Sequence, residues 1–402
     1  MKEVYIVDGV RSPFGKFCGS LSTIRTDDLA AIPIKSLVEK YPQIPGEAYE
    51  DVILGCANQA GEDNRNVARM ALLLAGLPWS VPGETINRLC SSGMSSAIQA
   101  SRAIKAGDGD IFITGGVEHM TRGPWVISKV SKPFGRDAQM HDSSFGWRFV
   151  NKKFHKIFGT DGMGVTAENL AEKFNISRED QDKFAYWSQM KAARAQESGR
   201  LAQEIVSVEI PQRKRDPIVF NKDEFIRGNT TLEVLGKLRT AFKSEGGTVT
   251  AGNASGLNDG AAALMIASED AVKKYNLSPL ARIVSSGVVG VEPRIMGIGP
   301  VGASRKALKK AGLQLSDMDI LELNEAFSAQ VLACTRELGI ADDDPRINPN
   351  GGAISIGHPL GVSGARILLT AALELQAQNK KYALATMCVG VGQGYATIIE
   401  KV

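Results

Sequence analysis

The residues at positions 87–97 read NRLCSSGMSSA, and those at positions 357–365 read GHPLGVSGA. In each stretch a reactive side chain, Cys90 or His358, is followed three residues later by glycine and seven residues later by alanine. We predict that each stretch is a turn that opens a helix. At a helix N-terminus, unpaired amide groups and the positive end of the helix dipole favour a thiolate or a developing oxyanion. The matched pattern therefore predicts a nucleophile and a base at the starts of two equivalent helices.

Each of these residues alone has a simpler interpretation. A single cysteine is more often a small buried hydrophobe than a nucleophile, and a histidine near glycine is usually a loop residue. A third stretch, ATMCVGVGQG at positions 385–394, places Cys388 at the end of an apolar run that enters a glycine-rich turn. The chain has only five cysteines and four histidines. Three of them at strand-to-turn junctions favour a shared catalytic role.

Short apolar runs alternate with amphipathic helical stretches, which predicts an α/β fold. The predicted strands lie at residues 4–7, 51–56, 110–114, 262–267, 320–323, 384–388 and 396–399. The second half repeats the first, because each half has a reactive residue at a helix start and then a strand that ends in glycines, at Gly115 and at Gly390. An internal duplication would bring the two helix starts together, so that Cys90 and His358 could meet.

The composition is that of a soluble globular chain of two or three compact units, with 402 residues, 43% hydrophobic and 23% charged. A net charge of +3 is too small to predict nucleic-acid binding, although it suits an anionic substrate. The sequence has no apolar run long enough for a membrane span and no targeting leader at its N-terminus. Widely spaced cysteines fit neither a disulfide framework nor a zinc site. We expect a cytoplasmic protein with reduced thiols and no bound metal.

Five stretches together resemble the thiolase family. They are the segments around Cys90 (87–94), His358 (348–366) and Cys388 (388–394), the sequence NEAF at 324–327, and GNASGLNDG at 252–260. The resemblance implies a duplicated α-β-α layered fold with an inserted loop domain. It divides the chain into an N-terminal half at 1–118 and 251–274, a loop domain at 119–250 that covers the site and binds coenzyme A, and a C-terminal half at 275–402.

The composition changes between positions 119 and 250, where three of the four tryptophans lie. Residues 177–196 have a helical pattern, and Ser177 with Asp180 three residues later predicts the N-terminal cap of that helix. The simpler interpretation is a helical insertion that covers one face of the core. The resemblance implies the loop domain instead.

A thiolase transfers an acyl group between a 3-oxoacyl thioester and coenzyme A, and the resemblance implies roles for five residues. Cys90 is the acylated nucleophile, and His358 is the base that accepts its proton. Cys388 exchanges a proton with the carbon acid. One oxyanion is bound by His358 and by a water held by Asn324, and the other is bound by the backbone amides of Cys90 and Gly390. Coenzyme A and acyl-CoA are substrates, and no cofactor is permanently bound.

A further set of residues is implied to contact coenzyme A. Side chains of these types are more often core than ligand contacts, so each assignment depends on the resemblance. The pantetheine tunnel is expected to be lined by Met163, Phe242, Ala251, Ser255, Ala326 and Phe327. Arg227 is expected near the nucleotide end.

Within the family, the chain resembles bacterial enzymes that act on 3-oxoadipyl-CoA, through segments 146–151, 295–300 and 387–394. The implied products are succinyl-CoA and acetyl-CoA. A distal carboxylate needs a cation, and we favour Arg148 over solvated surface lysines, because its planar fork suits a carboxylate. Segments 163–169 and 237–242 also suit acetoacetyl-CoA enzymes, so an acetyl-CoA C-acetyltransferase or a broad 3-ketoacyl-CoA thiolase is the alternative. A homotetramer is also implied by the resemblance.

Two other classes of protein share this fold. A decarboxylating condensing enzyme is expected to have histidine in place of Cys388. A non-catalytic relative that binds coenzyme A or lipid is expected to lack Cys90, His358 or Cys388. All three residues are present, which disfavours both classes.

Overall fold

Residues 2–402 are described by a computed structural model. The strands are β1 (Val4–Arg11), β2 (Gly15–Lys16), β3 (Asp51–Gly55), β4 (Gly83–Ile86), β5 (Ile111–His119), β6 (Trp125–Ile127), β7 (Met140–Asp142), β8 (Val208–Ile210), β9 (Ile218–Phe220), β10 (Asn258–Ser268), β11 (Ala281–Gly290), β12 (Ile320–Leu323), β13 (Tyr382–Val389) and β14 (Gln393–Lys401). The α-helices are α1 (Thr26–Lys40), α2 (Val67–Leu74), α3 (Ser92–Ala106), α4 (Lys152–Phe158), α5 (Met163–Lys173), α6 (Arg178–Glu197), α7 (Leu232–Gly236), α8 (Glu269–Lys274), α9 (Gly299–Ala311), α10 (Ser328–Leu338), α11 (Ala353–Ile356) and α12 (Leu360–Ala377).

The main sheet has two halves with the same strand order. One half runs β4-β3-β5-β10-β1, and the other runs β12-β13-β14-β11. In both, the first strands are parallel and the last three are antiparallel. A parallel bridge from Leu321 to Ile347 takes the place of β4 in the second half. The halves are joined by only two residue pairs between β1 and β11.

The duplication extends to a β-bulge. The pairing of β1 with β10 shifts between Ile6 and Asp8, and the pairing of β11 with β14 shifts between Ile283 and Ser285. In both strands the shift follows the third residue. A bulge adds local twist to a strand, so the two halves twist at equivalent positions.

Helices α3 and α12 form the centre of the molecule. They pack against each other, and α12 contacts strands of both sheet halves. Helices α1 and α2 cover the outer face of the first half, and α9 covers that of the second. Most of the core side chains on the two central helices are fully buried, among them Ala97, Leu368 and Leu369. The layers are therefore helix, sheet, helix, sheet, helix, which is the α/β arrangement expected from the sequence.

Each predicted strand corresponds to an observed one, in the order β1, β3, β5, β10, β12, β13 and β14. The helix predicted at 177–196 is α6, and the Oγ of Ser177 accepts a hydrogen bond from the Asp180 N–H at 3.0 Å, as the capping prediction requires. Strands β4 and β11 were not predicted. Both are partly exposed, and their glycines and polar residues interrupt the apolar pattern.

The prediction that the strand in the first half ends at its glycines is wrong. Strand β5 continues through Gly115 and Gly116 to His119. A Cβ atom on Gly116 would lie 2.0 Å from the carbonyl oxygen of Gly361. Gly116 is needed because the start of α12 crosses the strand at backbone distance, and Gly115 is needed because a Cβ there would collide with the Ala262 carbonyl oxygen of β10.

The segment between β5 and β10 connects two strands that are paired neighbours in the sheet. It contains the hairpins β6-β7 and β8-β9 and the helices α4 to α7. This is the helical insertion expected between positions 119 and 250. Within residues 2–402, no helix is long and apolar enough to cross a membrane.

Candidate active site

Cys90 lies in a tight turn between β4 and α3, two residues before the helix begins. Leu89 has a φ of 46°, and its N–H donates to the Asn87 side chain at 2.8 Å. The Ser92 hydroxyl donates to the Leu89 carbonyl at 2.7 Å. This turn holds the Cys90 thiol at the N-terminal end of α3 with 7% of the residue exposed.

Burial keeps the Cys90 thiol protonated. Its pKa is raised to about 11 by burial and by the charge of Glu118, against the opposite effect of the nearby N–H groups of Gly390 and of Cys90 itself. A Cβ on Gly390 would lie 3.1 Å from the Leu89 side chain, so glycine allows this close approach. The helix start does not by itself produce a thiolate here, because burial outweighs the amides. Cys90 is therefore a thiol in the resting site.

His358 is fixed at two points, two residues before α12. Its backbone N–H donates to Asn258 Oδ1 at 2.9 Å, and its Nδ1 lies 2.6 Å from the Ser363 hydroxyl. Because that hydroxyl donates to the Pro359 carbonyl at 3.0 Å, we assign the ring proton to Nδ1. Nε2 is then free to accept a proton.

The surroundings of His358 keep its ring neutral. Burial, and after it the nearby charge of Arg366, lower the pKa of the imidazole to about 3. Arg366 is itself buried and pairs with Glu322 at 3.2 Å. A neutral imidazole is the form that can act as a base.

Asn324 lies beside the free nitrogen of His358. Its Nδ2 is 3.4 Å from His358 Nε2. Its Oδ1 is buried and has no hydrogen-bond partner among residues 2–402. A buried amide oxygen without a partner is suited to hold a water or a substrate group.

Close backbone contact between α3 and α12 brings the two reactive residues together. A Cβ on Gly93 would lie 2.7 Å from the Gly361 oxygen, and a Cβ on Gly364 would lie 2.4 Å from the Met94 nitrogen. The glycines that follow Cys90 and His358 at equal spacing are thus at the crossing point of the two helices. The internal duplication and the convergence expected from it are both observed.

Cys388, the third reactive residue, lies on β13. The Asn324 N–H donates to the Thr386 carbonyl at 3.0 Å, which places the end of β12 beside β13 two residues before Cys388. Cys388 is fully buried. Burial and then the neighbouring Cys90 sulfur raise its pKa well above the ordinary value.

An apolar wall extends from Cys388. Cys388 packs in one cluster with Ala326, Phe327, Ala254 and Met296 among others. Phe242 makes an edge-to-face contact with Phe327 at 6.2 Å. Ala326, Phe327 and Phe242, expected to contact coenzyme A, are thus brought together next to Cys388.

Met163, also expected in the tunnel, is connected to this wall. It is partly exposed at the start of α5, and a Cβ on the following Gly164 would collide with Phe242.

The remaining predicted contacts lie farther along the surface. The Ser255 N–H donates to the Ala326 carbonyl at 3.0 Å, and Ala251 is exposed. Arg227 is exposed, with its guanidinium 5.5 Å from the Phe225 ring centroid. Arg148 donates from its two Nη atoms to the Ser143 carbonyl and to Asn58 Oδ1, at 2.8 and 3.2 Å.

Sequence reasoning missed the residues that position the catalytic candidates. Ser363 and Asn258 both lie inside the quoted family segments, but their hydrogen bonds to His358 depend on the folded chain. Glu118 was also missed, although a carboxylate in an otherwise apolar strand was a visible signal. It accepts hydrogen bonds from the Ala57, Asn58 and Gly361 N–H groups at 3.0, 3.0 and 2.8 Å. Glu118 therefore ties the start of α12 to the loop after β3.

One group of three potential metal ligands occurs within residues 2–402, formed by Cys56, Asp63 and Glu118. Glu118 accepts three backbone hydrogen bonds, and Asp63 accepts one from the Gly61 N–H at 2.8 Å. Because these carboxylates already have protein partners, the group carries no argument for a metal site.

Comparisons with known proteins agree with this geometry. Residues 4–270 match the family description "Thiolase, N-terminal domain", and residues 277–401 match "Thiolase, C-terminal domain". The chain is 57% identical to a beta-ketoadipyl-CoA thiolase of Acinetobacter baylyi and 58% identical to a 3-oxoadipyl-CoA/3-oxo-5,6-dehydrosuberyl-CoA thiolase of Escherichia coli K12, over the whole of each chain. The solved acetyl-CoA acetyltransferase of Bacillus anthracis is 40% identical and superposes with a TM-score of 0.92, covering 100% of this chain and 99% of that one.

Proposed function

Because the chain belongs to the thiolase family, we propose that it cleaves 3-oxoadipyl-CoA with coenzyme A, giving succinyl-CoA and acetyl-CoA through an acyl group on Cys90. Thiolases use coenzyme A thioesters as substrates without a permanently bound cofactor. The names of the two full-length relatives support the 3-oxoadipyl substrate. The observation that carries the proposal is that Gly390, two residues after Cys388, lies against the Leu89 side chain in the turn that holds Cys90, so that the two cysteines are neighbours.

The first half-reaction begins with a neutral thiol and a neutral imidazole. The Cys90 proton moves to His358 Nε2 as the sulfur attacks the C3 carbonyl of the substrate. The negative charge on that oxygen is accepted by the Cys90 and Gly390 amides.

Breaking the bond between C2 and C3 releases the enolate of acetyl-CoA. Its thioester oxygen is held by the proton now on His358 Nε2 and by a water bound to Asn324, whose buried Oδ1 supports this assignment. The Cys388 thiol gives its proton to C2. Acetyl-CoA then leaves, and the acyl group stays on Cys90.

The second half-reaction restores both cysteines. The Cys388 thiolate takes the proton of the coenzyme A thiol, and the resulting sulfur attacks the acyl carbonyl. The Cys90 thiolate leaves and regains its proton from His358. The high pKa of Cys388, caused by burial, suits a group that must deprotonate a thiol of ordinary acidity.

We also propose that residues 119–250 cover the site and bind coenzyme A, between core halves at 1–118 with 251–274 and at 275–402. Phe242 and Met163 come from this segment and contact or adjoin the apolar wall. Its exposed apolar side chains, such as Trp125 and Phe134, suit contacts between subunits. A cytoplasmic homotetramer is proposed on this basis and on the family resemblance. A mass four times that of the chain in light scattering tests the assembly.

The substrate proposal is tested by the CoA-dependent loss of enolate absorbance with 3-oxoadipyl-CoA and acetoacetyl-CoA in parallel. We expect kcat/KM to be at least about tenfold higher for 3-oxoadipyl-CoA, the effect of one charge-assisted hydrogen bond. Equal values, or a preference for acetoacetyl-CoA, would favour the acetyl-CoA C-acetyltransferase or broad-range alternative.

A further inference from the structure

A narrow cleft adjoins the candidate active site. Its apolar wall includes Trp147, Phe158, Met163 and Val391, and its only cation is Arg294. Met163 belongs both to this cleft and to the start of α5, where Phe242 contacts Gly164. The cleft therefore opens beside the apolar wall that leads to Cys388.

The cleft is continuous with the backbone that surrounds the nucleophile. Gly390 lies against the Leu89 side chain in the turn that holds Cys90, and Val391 is the next residue. A Cβ on Gly392 would lie 3.0 Å from Pro293 Cα, and Arg294 follows Pro293. Counting about 3.8 Å per residue along this path, the Arg294 backbone lies at most about 15 Å from the Gly390 amide. A four-carbon acyl group on Cys90 and an extended arginine side chain can together cover a distance of this order.

Val391 is held in an unfavourable backbone conformation. Its φ is 63°, which is rare for a β-branched residue. Its side chain is 40% exposed and lines the cleft. Backbone strain of this kind is concentrated at functional sites, where surrounding structure maintains it. The strained residue joins the oxyanion amide of Gly390 to the cleft.

The Arg294 guanidinium has two nitrogens available for a ligand. Its Nε donates to Asp161 Oδ2 at 2.9 Å, while within residues 2–402 its two Nη atoms have no hydrogen-bond partner. Asp161 is itself fixed by the Asn169 side chain at 3.2 Å and, through its carbonyl, by Trp147 Nε1 at 3.2 Å. The guanidinium is thus held in one orientation, and its two Nη atoms remain available as hydrogen-bond donors.

Arg148 differs from Arg294 in this respect. Both Nη atoms of Arg148 donate to protein oxygens, of Ser143 and Asn58. A carboxylate that binds in the two-point manner typical of arginine needs two free N–H groups in one plane. Arg294 offers its two Nη atoms for this contact, and Arg148 would first have to break existing hydrogen bonds.

We propose that Arg294 binds the distal carboxylate of the acyl chain, so that the cleft selects dicarboxylic 3-oxoacyl thioesters. This inference rests on the proposed function, because it assigns a residue to the carboxylate of that substrate. Val391 contacts the methylene groups between the carboxylate and Cys90. The ion pair with Asp161 orients the guanidinium and leaves its outer edge for the ligand.

The test compares 3-oxoadipyl-CoA with 3-oxohexanoyl-CoA, which has the same number of acyl carbons and a methyl group in place of the carboxylate. The variants are Arg294→Met, Arg148→Met and, as a matched control, Arg305→Met, since Arg305 is exposed on α9. Arg294→Met should lower kcat/KM for 3-oxoadipyl-CoA about ten- to a hundredfold. With 3-oxohexanoyl-CoA it should change kcat/KM by less than about threefold, as should Arg305→Met with both substrates.

Three other outcomes would overturn either this inference or the proposed function. Equal losses with both substrates in Arg294→Met would overturn the inference and make Arg294 structural. A selective loss in Arg148→Met alone would overturn it in favour of Arg148. A wild-type enzyme without a preference for 3-oxoadipyl-CoA over 3-oxohexanoyl-CoA would instead overturn the proposed function. Arg294→Lys keeps the positive charge but lacks the planar guanidinium. It should retain only part of the preference for 3-oxoadipyl-CoA over 3-oxohexanoyl-CoA.

Discussion

Burial and hydrogen bonding act in opposite directions on the Cys90 thiol. Burial raises its pKa to about 11, and the amides of Gly390 and Cys90 lower it. The pKa of His358 is lowered to about 3, first by burial. Between these values both groups are neutral, so the resting pair is a thiol and an imidazole. The thiolate forms only as Cys90 attacks the substrate, whose carbonyl oxygen then carries the negative charge.

The first prediction concerns the pH dependence of Cys90 alkylation in the free enzyme. The thiolate reacts, and its fraction rises tenfold per pH unit below the pKa. The rate of iodoacetamide labelling at Cys90 should therefore increase steadily from pH 7 to pH 10, with a midpoint near 11. Peptide mass mapping separates this rate from that of the exposed Cys18. A plateau below pH 8 would mean that Cys90 and His358 form a resting ion pair.

The second prediction separates the roles of His358 and Cys388. His358→Ala removes the base and one oxyanion donor, so acylation of Cys90 by acetyl-CoA should slow by at least about 10²–10³-fold. Cys388→Ala should still acylate from acetyl-CoA but lose exchange of the carbon-carbon bond. The two rates are measured with labelled acetyl-CoA in single-turnover and condensation assays. Equal loss of both steps in both variants would contradict the division of roles.

The sequence predicted the reactive residues better than the residues that orient them. Cys90, His358 and Cys388 stand in glycine-rich stretches that are visible without a structure. Ser363 binds His358 from the next helical turn, and Arg294 reaches the cleft from a separate segment. Both act through contacts that exist only after folding, so no local pattern could identify them.

Among the structural elements, the crossing of α3 and α12 explains Gly93 and Gly364, whereas Gly361, the counterpart of Gly93, lies against the carbonyl oxygens of Val117 and Gly55 in the neighbouring strands. Residues with a Cβ at Gly93 or Gly364 would collide with the other helix. The spacing between each reactive residue and its glycine was visible in the sequence because it occurs in both halves of the duplicated chain. The reason for the spacing, which is backbone contact between two helix starts, required the structure.

The third prediction tests this crossing with Gly364→Ala. The new methyl group would lie 2.4 Å from the Met94 nitrogen, so α12 must shift away from α3. We expect the free energy of unfolding to fall by about 1–3 kcal/mol, together with a lower kcat, because Cys90 and His358 move apart. Urea unfolding and steady-state assays measure the two effects.

Gly236→Ala is the matched control for this variant. Gly236 ends α7 and has no atom within 4 Å of an added Cβ. Alanine is the better helix former, so stability should be unchanged or slightly higher. If Gly364→Ala behaves like this control, the crossing does not require glycine.

At the scale of the whole molecule, the two sheet halves bring four chain segments to one place. Cys90 comes from the first half, and Asn324, His358 and Cys388 come from the second. The positions of these strands and the fold class could be predicted because buried strands have continuous apolar runs, as β10 and β13 do. Strand β11 was missed since it is only partly buried and interrupted by serines and glycine. No pattern in the sequence predicts the two residue pairs between β1 and β11 that join the sheet halves.

The central claim is that the substrate's acyl group is carried by Cys90. The most direct test is to mix the enzyme with 3-oxoadipyl-CoA without free coenzyme A, quench in acid and map the peptides by mass. We expect a succinyl thioester on the peptide containing Cys90, formed together with one equivalent of acetyl-CoA and absent from the Cys90→Ser variant. A succinyl group on Cys388, or acetyl-CoA release without any acylated cysteine, would contradict it.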